Sequence, residues 1–456
     1  MQHGGTASQL QMQQETKTRG MQTIEKVLSA RNLTEACHEV VGNKGAAGID
    51  KMGVKELKTY LDQNREGLTV LIRQQKYIPQ PIRGKEIPKR NGKMRLLGIP
   101  TVIDRMLQQA VTRAIMPHFE YMFCGYSYGF RPGRNTLQAV SKSREYINAG
   151  YQHIVDIDLK GFFDEVDHCL LMELVYRKIK CRTTLTLIRR WLRAPIWQDG
   201  KLLKRRKGVP QGSPISPLLS NIMLHELDME MEKRQLRFVR YADDFSIYCK
   251  TKEDARKTAN SIYAFLRDRL KLPINKEKSG IRRPINFKIL GYGFVPTYRK
   301  GETGKYQLVV DNKRWESLKA KLKEITRKTT PATFNERIQK LKEVQRGWVN
   351  NFRFAGMLQK LRELDGWLRN RLRYCIWHHW KKRERKRKNL MKLGATAHDA
   401  YCWSRSRMGG WAIAQSPILG TTITVSLLVK RGYESLESWY IKVSPVCNNP
   451  SLFPIV

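Results

Sequence analysis

The chain has 456 residues, of which 41% are hydrophobic, so it is not a wholly disordered protein and is long enough for several domains with cores. Its 85 Lys and Arg against 41 Asp and Glu give a net charge of +44, which predicts a polyanionic partner, most simply a nucleic acid. No apolar run approaches the roughly 20 residues of a spanning helix, so we expect no membrane partner. The eight cysteines form no C-x-x-C pair, and we interpret them as reduced thiols in a cytosolic protein without a zinc site.

The first 80 residues predict a leader and a helical block. Residues 1–20 are rich in Gln, Thr and Gly without periodicity, which indicates a disordered leader. Apolar residues then recur at helical spacing from Thr23 to Val41, and a second helix is expected through Leu57. Pro79 and Pro81 end this block.

Residues 87–100 predict a hairpin with a basic ribbon. Asn91-Gly92 is a strong turn signal between the two arms. The arms bring Lys89 and Arg95 onto one ribbon, which could grip a triphosphate through charge and a guanidinium fork. A hairpin whose charges are only solvated is the alternative.

A helix over Thr101 to Met116 follows, and Pro117 is expected to end it. The loop after it, residues 126–135, reads Y-S-Y-G-F-R-P-G-R-N. Its aromatic rings offer faces for stacking bases, and Arg131 and Arg134 could bind phosphate. A tight structural loop would explain the same composition equally well.

Further helices are expected at Thr136–Ile147, around Leu170–Val175, and at Leu185–Leu192, Leu218–Met231 and Ala255–Leu270. Between the first two of them, residues 154–164 predict a strand that runs into a turn. Alternation puts Val155 and Ile157 on one face, and Asp156 and Asp158 on the other. Asp158 therefore lies at the exit of this strand.

The loop of residues 207–217, K-G-V-P-Q-G-S-P-I-S-P, opens a helix. Free backbone amides at a helix N-terminus favour phosphate. Gln211 offers both a donor and an acceptor to a base or a sugar.

Residues 237–249, R-F-V-R-Y-A-D-D-F-S-I-Y-C, predict a second hairpin with Asp243 and Asp244 at its tip. Neighbouring carboxylates repel each other, so a divalent cation is the expected partner. A solvated turn is the alternative, since Asp is common in turns. Short strands are expected at residues 275–279 and 289–294.

After residue 305 the chain predicts three amphipathic helices with basic outer faces, which end in K-K-R-E-R-K-R-K at 381–388. These faces could simply be solvated, but the excess of basic over acidic residues favours contact with a phosphate backbone. The expected nucleic-acid contacts in this run are Lys381, Lys382, Arg383 and Arg385.

Three carboxylates would meet if the strand of Asp158 pairs beside the hairpin of Asp243 and Asp244. They could then hold two Mg²⁺ ions about 3.5–4 Å apart, as in-line phosphoryl transfer requires. With basic loops on both sides, these parts predict a nucleotidyl transferase that works on a nucleic-acid template.

Five motifs then support a resemblance: I-P-K-R-N-G-K-M-R-L-L-G-I-P at 87–100, Y-G-F-R-P-G-R-N at 128–135, V-D-I-D-L-K-G-F-F-D at 155–164, P-Q-G-S-P-I-S-P at 210–217 and Y-A-D-D at 241–244. In this order and spacing the chain resembles the reverse transcriptase–maturases encoded by bacterial group II introns, from about residue 22 to the C-terminus. Y-A-D-D alone is a weak signal, whereas the five motifs together are specific.

The resemblance implies an α+β right-hand polymerase with fingers, an antiparallel palm sheet and a helical thumb. It implies an N-terminal finger extension at 21–80, fingers and palm at 81–300, a thumb or maturase domain at 305–395, and an extension of that domain at 396–456.

The resemblance also implies roles for individual residues. Asp158, Asp243 and Asp244 resemble the family's metal ligands for Mg²⁺, with Mn²⁺ as a substitute, whereas Asp156 and Asp164 fall outside that triad. The residues expected to contact a dNTP are Lys89 and Arg95 at the triphosphate, Phe163 as the side chain that excludes a ribose 2′-OH, and Gln211 near the incoming nucleotide.

The implied activity is RNA-directed DNA synthesis from a primer, together with help in splicing and mobility of the intron. The implied partners are the intron RNA, an RNA template with a DNA primer, dNTPs and a DNA target, in the bacterial cytoplasm at the nucleoid. The tail lacks the His-Asn-His and Cys pairs of the endonuclease-bearing members, so the chain resembles the compact IIC class. Its oligomeric state stays open.

Two other functions remain as alternatives. A splicing factor with vestigial polymerisation would bind the same RNA, but it has no need of three intact carboxylates. A domesticated reverse transcriptase in DNA repair or phage defence would keep those carboxylates, but the maturase-like thumb and tail argue against it.

Overall fold

A computed structural model describes residues 23–88, 92, 94–297 and 304–448. The chain divides into two compact units, Met1–Tyr146 with Tyr151–Arg282, and Ile147–Gly150 with Arg283–Val456. Both units combine helices with mainly antiparallel strands, which gives the predicted α+β class. The expected leader and Lys89 lie outside the described residues. No helix in the described ranges is both long and apolar enough to span a bilayer.

The helices described in the first unit are α1 (residues 23–28), α2 (Ala30–Gly42), α3 (Leu57–Arg73), α4 (Val102–Glu120), α5 (Thr136–Asn148, whose last two residues belong to the second unit), α6 (Phe162–Glu165), α7 (His168–Lys178), α8 (Arg182–Arg193), α9 (Ser216–Lys233) and α10 (Lys252–Asp268). Its described strands are β1 (Ile82–Pro88), β2 (Met94–Ile99), β3 (His153–Ile157), β4 (Ile196–Gln198), β5 (Lys201–Leu203), β6 (Arg237–Tyr241), β7 (Asp244–Cys249) and β8 (Gly280–Arg282).

The described strands of this unit form two four-stranded sheets. One has the order β2-β1-β4-β5, and its antiparallel β1–β2 pair confirms the hairpin expected around Gly92. The other has the order β6-β7-β3-β8 and is antiparallel throughout. In it Tyr241 pairs with Asp244, which leaves only Ala242 and Asp243 in the turn and confirms the second hairpin.

The second sheet lies on a continuous apolar core. Val155 and Ile157 of β3, with Phe245 and Ile247 of β7, are almost fully buried, as the alternation predicted for β3. Helix α9 is buried on most of its surface, including polar positions, which is typical of a helix that runs through the centre of a domain.

Three expectations about element boundaries are wrong. Ser29 divides the helix expected over Thr23 to Val41, because its hydroxyl accepts from the Asn32 amide and caps α2. Pro117 does not end α4, because only one turn follows it and Phe119 is buried in that turn. Residues 275–279 form a turn instead of a strand.

The second unit is built from a small sheet and many helices. Its described strands are β9 (Lys288–Ile289), β10 (Tyr292–Pro296) and β11 (Tyr306–Val310), after a short 3-10 helix at Pro284–Asn286, and they pair in the order β11-β10-β9. Its described helices are α11 (Asn312–Ile325), α12 (Phe334–Phe352), α13 (Leu358–His379), α14 (Arg383–Lys392), α15 (Ala397–Ser404), α16 (Gly410–Gln415), α17 (Pro417–Thr422), α18 (Val425–Lys430), α19 (Leu436–Val443) and α20 (Pro445–Asn448).

Helices α11, α12 and α13 confirm the three predicted amphipathic helices. Helix α19 is attached to α13 by the buried Asp365, which accepts hydrogen bonds from the Leu436 and Glu437 amides and from the Tyr433 hydroxyl. This carboxylate therefore caps the helix from a distant part of the chain.

The hairpin turn between β6 and β7 is held by a buried ion pair. Arg240 on β6 and Asp228 on α9 have fully buried side chains and form a two-pronged bond, at 2.7 Å and 2.5 Å. The remaining guanidinium nitrogen donates to the Asn221 side-chain oxygen at 3.0 Å and to the Ala242 carbonyl at 2.9 Å. Arg240 thus connects the turn to the central helix of the unit.

Replacing Arg240 with Leu should lower the free energy of unfolding by about 3–5 kcal/mol, because Asp228 would remain buried without its partner. Chemical denaturation measures this loss. Arg234→Ala is the matched control, since it breaks a partly exposed pair with Glu230 on the same helix and should cost about 1 kcal/mol or less. Equal losses in the two variants would contradict the role given to Arg240.

Candidate active site

The strand pairing brings three carboxylates to one end of the sheet. The β3–β7 ladder ends where Ile157 faces Phe245, so Asp158 leaves β3 at the end where β7 begins with Asp244. Asp243 occupies the adjoining turn. The arrangement confirms that the strand of Asp158 pairs beside the hairpin.

The carboxylates influence one another's pKa. Although Asp244 is an exposed residue, protein atoms surround its carboxyl group, and this burial, followed by the charges of Asp243 and Asp158, raises its pKa to about 6. Burial and then Asp158 also raise the pKa of Asp243, while Arg95 acts in the opposite direction. Burial and the neighbouring carboxylates therefore both disfavour the charged forms of Asp243 and Asp244.

Asp158 is held by a loop that sequence reasoning did not assign to the site. Its Oδ2 atom accepts from the Asn275 side-chain amide at 3.0 Å and lies 3.4 Å from the Lys278 ammonium. Its backbone amide donates to the Ser279 hydroxyl at 3.0 Å. The signal in the sequence was the polar run N-K-E-K-S directly after an apolar segment, but we interpreted it as a strand.

Within the described residues, no three His, Cys, Asp or Glu side chains are arranged so that they could hold a metal ion. Lys278 takes one oxygen of Asp158, and Asp156, one residue before β3 ends, is paired with Arg282 at 2.9 Å. The donor set nevertheless fits a hard divalent cation, because it consists of carboxylates, and burial together with the neighbouring carboxylates raises the pKa of Asp243 and Asp244.

A pocket of about 450 Å³ collects three of the four residues expected to contact a nucleotide. Arg95, Phe163 and Gln211 all line it, and the Arg95 guanidinium donates to the Gln211 side-chain oxygen. The backbone of Gln211 is fixed as well, since its carbonyl accepts from the Gly98 amide at 2.8 Å. Lys89, the fourth residue, lies outside the described residues.

The loop at Gly208 holds the backbone of Phe163 in place. The Phe163 carbonyl accepts from the Val209 amide at 2.6 Å. A Cβ atom on Gly208 would lie 2.8 Å from the carbonyl oxygens of Phe163 and Asp164, and the φ of Gly208 is +86°. Only glycine allows this approach, so the loop sets the depth of the pocket at Phe163.

The loop of residues 126–135 supports the hairpin turn. The Gly129 backbone lies so close to it that a Cβ atom there would meet the Ala242 nitrogen at 2.3 Å. Asn221, which also binds Arg240, donates to the Gly129 carbonyl at 2.9 Å. The loop and the turn are thus held by the same side chain of α9.

The two arginines of this loop have different surroundings. Arg131 is buried and bonds to the Glu120 carboxylate and to the Cys124 and Ser127 carbonyls, so its geometry favours the tight structural loop over the expected nucleic-acid contact. Arg134 is partly exposed, donates to the Gly125 carbonyl and lies 5.5 Å above the Tyr128 ring.

The predicted basic contacts of the second unit are solvent-exposed. Lys381 and Lys382 precede α14, and Arg383 and Arg385 lie in its first turn. None of the four forms an ion pair with an acid in the part of the chain that the structure describes. Their charges are therefore available to a polyanion.

Two family models match the chain. The model for reverse transcriptase (RNA-dependent DNA polymerase) matches residues 87–294, and that for the group II intron maturase-specific domain matches residues 315–394. In solved structures, a partial Cas6-RT-Cas1–Cas2 complex is similar over 54% of this chain and 42% of that chain, at 21% identity and a TM-score of 0.35.

Curated proteins are also similar to this chain. Protein YkfC of Escherichia coli K12 is 32% identical over 289 residues, 55% of this chain and 76% of YkfC. The group II intron-encoded protein LtrA of Lactococcus lactis subsp. cremoris is 31% identical over 333 residues, 56% of this chain and 54% of LtrA, so the chain spans about half the length of that relative.

The chain therefore matches both a reverse transcriptase domain and a maturase-specific domain. The reverse transcriptase match includes the three carboxylates and the pocket residues Arg95, Phe163 and Gln211, and the maturase-specific match runs from within α11 to the end of α14. The chain belongs to the family of group II intron-encoded reverse transcriptases with a maturase-specific domain, whose enzyme class is RNA-directed DNA polymerase.

Proposed function

We propose that this protein extends a DNA primer with deoxynucleotides on an RNA template, at a site formed by Asp158, Asp243 and Asp244. The observation that carries the proposal is the β3–β7 pairing, which joins a carboxylate from one strand to two from the adjacent hairpin. A structural turn would not need three acids in one place, because their repulsion opposes folding.

The site is proposed to use two Mg²⁺ ions, which Mn²⁺ can replace. When bound, the ions supply charge stabilisation for the attacking and leaving oxygens of phosphoryl transfer. Asp158, Asp243 and Asp244 would hold them through carboxylate oxygens, and Lys278 would give up its contact with Asp158. Asn275 and Ser279 would keep Asp158 oriented during this exchange.

The pocket beside the carboxylates is proposed to hold the incoming dNTP. Arg95 offers a guanidinium for the triphosphate, and its bond to Gln211 fixes both side chains before a nucleotide arrives. Phe163 is proposed to lie against C2′ of the sugar, where its ring leaves no room for a hydroxyl group. Lys89 is proposed as a second triphosphate contact.

The second unit is proposed to bind the group II intron RNA and to assist its splicing and its insertion into a DNA target. The match to the maturase-specific domain and the exposed cations at Lys381, Lys382, Arg383 and Arg385 support this role. Arg134 is a weaker candidate contact in the first unit. Because the target is DNA, we propose that the protein acts in the cytoplasm at the nucleoid.

The proposed domain limits follow the sequence. They are the leader at 1–20, the finger extension at 21–80, fingers and palm at 81–300, and the thumb or maturase region at 305–395 with its extension at 396–456. The first compact unit ends earlier, at Arg282, so the palm is proposed to share residues 283–300 with the second unit.

Asp243→Asn should reduce cDNA synthesis on an RNA template at least about 100-fold, since one carboxylate of the site is lost. Primer extension with Mg²⁺ and dNTPs measures this, and Asp268→Asn, which alters an exposed acid paired with Arg267, is the control. Splicing of the host intron RNA by the same variant should stay normal. Undiminished cDNA synthesis would refute the site.

Phe163→Ala should allow incorporation of ribonucleotides, at least about tenfold more efficiently relative to deoxynucleotides, because the ring no longer fills the space of the 2′-OH. Single-nucleotide extension with matched dNTP and rNTP measures the ratio. Phe163→Tyr keeps the ring and should retain the discrimination. An unchanged ratio in Phe163→Ala would assign sugar selection to another residue.

Asp244→Asn should stabilise the metal-free protein at pH 7. The raised pKa of Asp244 means that the folded state holds this proton more tightly than the unfolded chain, so stability falls as pH rises from about 4, the ordinary value, to about 6. Solvent screening limits the expected gain to about 1 kcal/mol. Chemical denaturation at pH 7 and at pH 4 measures this gain.

Most of this gain should be lost at pH 4, because the carboxyl group is then protonated in the folded chain and about half protonated in the unfolded chain. Mg²⁺ should stabilise the wild type more than Asp244→Asn. A gain that is equal at the two pH values would show that charge repulsion is not its cause.

A further inference from the structure

One face of α13 carries aromatic and cationic side chains in a row. Trp367, Arg371, Tyr374 and His378 follow one another at spacings of four, three and four residues, which places them on one side of the helix over about 16 Å. The Arg371 guanidinium carbon lies 5.9 Å from the centre of the Trp367 ring and 6.0 Å from that of Tyr374.

Trp411 of α16 extends this row sideways. Its ring meets the edge of Tyr374, with centres 5.9 Å apart and planes at 83°, and the Arg371 guanidinium lies 5.6 Å from its centre. Gly410 permits the approach, because a Cβ atom there would lie only 3.0 Å from the Tyr374 ring. We call Trp367, Arg371, Tyr374 and Trp411 the aromatic platform.

The side chains of the aromatic platform are partly exposed and are held in place by their neighbours. Trp367, Tyr374 and Trp411 are half-buried, whereas Trp377 on the same helix and Trp380 after it are buried. Arg371 is fixed from below, since it donates to the Thr326 hydroxyl at 3.1 Å and to the Thr326 carbonyl at 2.7 Å. The rings therefore present their exposed parts in a fixed arrangement.

Cations surround the aromatic platform. The Lys319 ammonium lies 5.4 Å from the centre of the Trp367 ring, and the Lys328 ammonium lies 5.8 Å from that of Tyr374. Both lysines are exposed, and within the described chain neither forms an ion pair with an acid. Burial, followed by the charges of Lys328 and Lys381, lowers the pKa of His378.

We propose that the aromatic platform binds unpaired nucleotides of RNA. Bases would stack on the exposed parts of Trp367, Tyr374 and Trp411, and phosphates would meet Lys319 and Lys328. An aromatic face with cations at its border matches a single strand, which offers a base and a phosphate at every residue. A duplex, whose bases are already stacked on each other, would use only the cations.

This inference rests on the proposed RNA-binding function of the second unit and adds the part of the RNA that it recognises. The catalytic carboxylates take no part in it. Loss of the platform should therefore leave primer extension on a short heteropolymeric template unchanged.

Binding of two fluorescent single strands to the full-length protein tests the inference. One is an oligoribonucleotide of about 12 nucleotides, and the other has the same phosphates but no bases. The wild type should bind the intact strand more tightly. Tyr374→Leu and Trp411→Leu should each weaken that binding by about tenfold and leave binding of the abasic strand unchanged.

Two further variants separate stacking from other effects. Tyr374→Phe keeps the ring and should bind like the wild type. Tyr401→Leu removes an exposed tyrosine that has Arg405 3.7 Å from its ring but lies outside the aromatic platform, and it should have no effect. Equal binding of intact and abasic strands by the wild type, or an equal loss in Tyr401→Leu, would overturn the inference.

Crosslinking gives a result that does not depend on a substituted protein. RNA that carries 5-iodouridine, irradiated with the wild type, should attach to Trp367, Tyr374 or Trp411, and attachment only elsewhere would overturn the inference. Primer extension with the same preparation keeps the two claims apart. If the protein extends primers but RNA does not crosslink to the aromatic platform, only the proposed role of the platform is contradicted. If the protein does not extend primers, the proposed polymerase activity is contradicted.

Discussion

The candidate active site depends on the ion pair between Arg240 and Asp228, which is buried beneath the hairpin turn. Ala242 has a φ of +58°, a conformation that costs a residue with a side chain about 1–2 kcal/mol, so the turn must be stabilised by its surroundings. Arg240 does so by binding the Ala242 carbonyl, and α9 fixes Arg240 through Asp228 and Asn221. Gly129 closes the other side of the turn.

The same pair explains how a basic protein keeps a concentration of negative charge at one point. Arg240 acts on Asp243, but Asp228 already pairs with it. Arg95 offsets the charge of Asp243 and Lys278 that of Asp244, yet the pKa of Asp244 still rises to about 6 as a result of burial and of its acidic neighbours. A divalent cation is the partner that such a site favours.

The sequence alone was sufficient to predict those strands and turns that depend on local residue patterns. Alternation on β3 predicted a strand with Asp158 at its exit, and the β-forming residues on both sides of Asp243 and Asp244 predicted the hairpin, which the strand pairing confirms. The grouping of Arg95, Phe163 and Gln211 came from the resemblance instead, since they lie on three elements that no spacing rule connects. Their individual roles stay predictions.

Contacts between distant segments were not predictable from the sequence. Nothing in N-K-E-K-S indicates that Asn275 and Lys278 meet Asp158, more than 100 residues earlier. Arg131 illustrates the same limit, because an arginine in a polar loop looks available until Glu120 is found beside it. Pro117 shows that a local rule fails where a buried side chain such as Phe119 stabilises one more turn.

We propose that β3 delivers Asp158 to the same reacting centre as the hairpin acids. Primer extension by Asp158→Asn on an RNA template, with dNTPs and Mg²⁺, tests it most directly, because this residue reaches the site only through the strand pairing. We expect synthesis to be lost as fully as it is when a hairpin acid is removed, while the protein remains folded. Synthesis at the wild-type rate would contradict it.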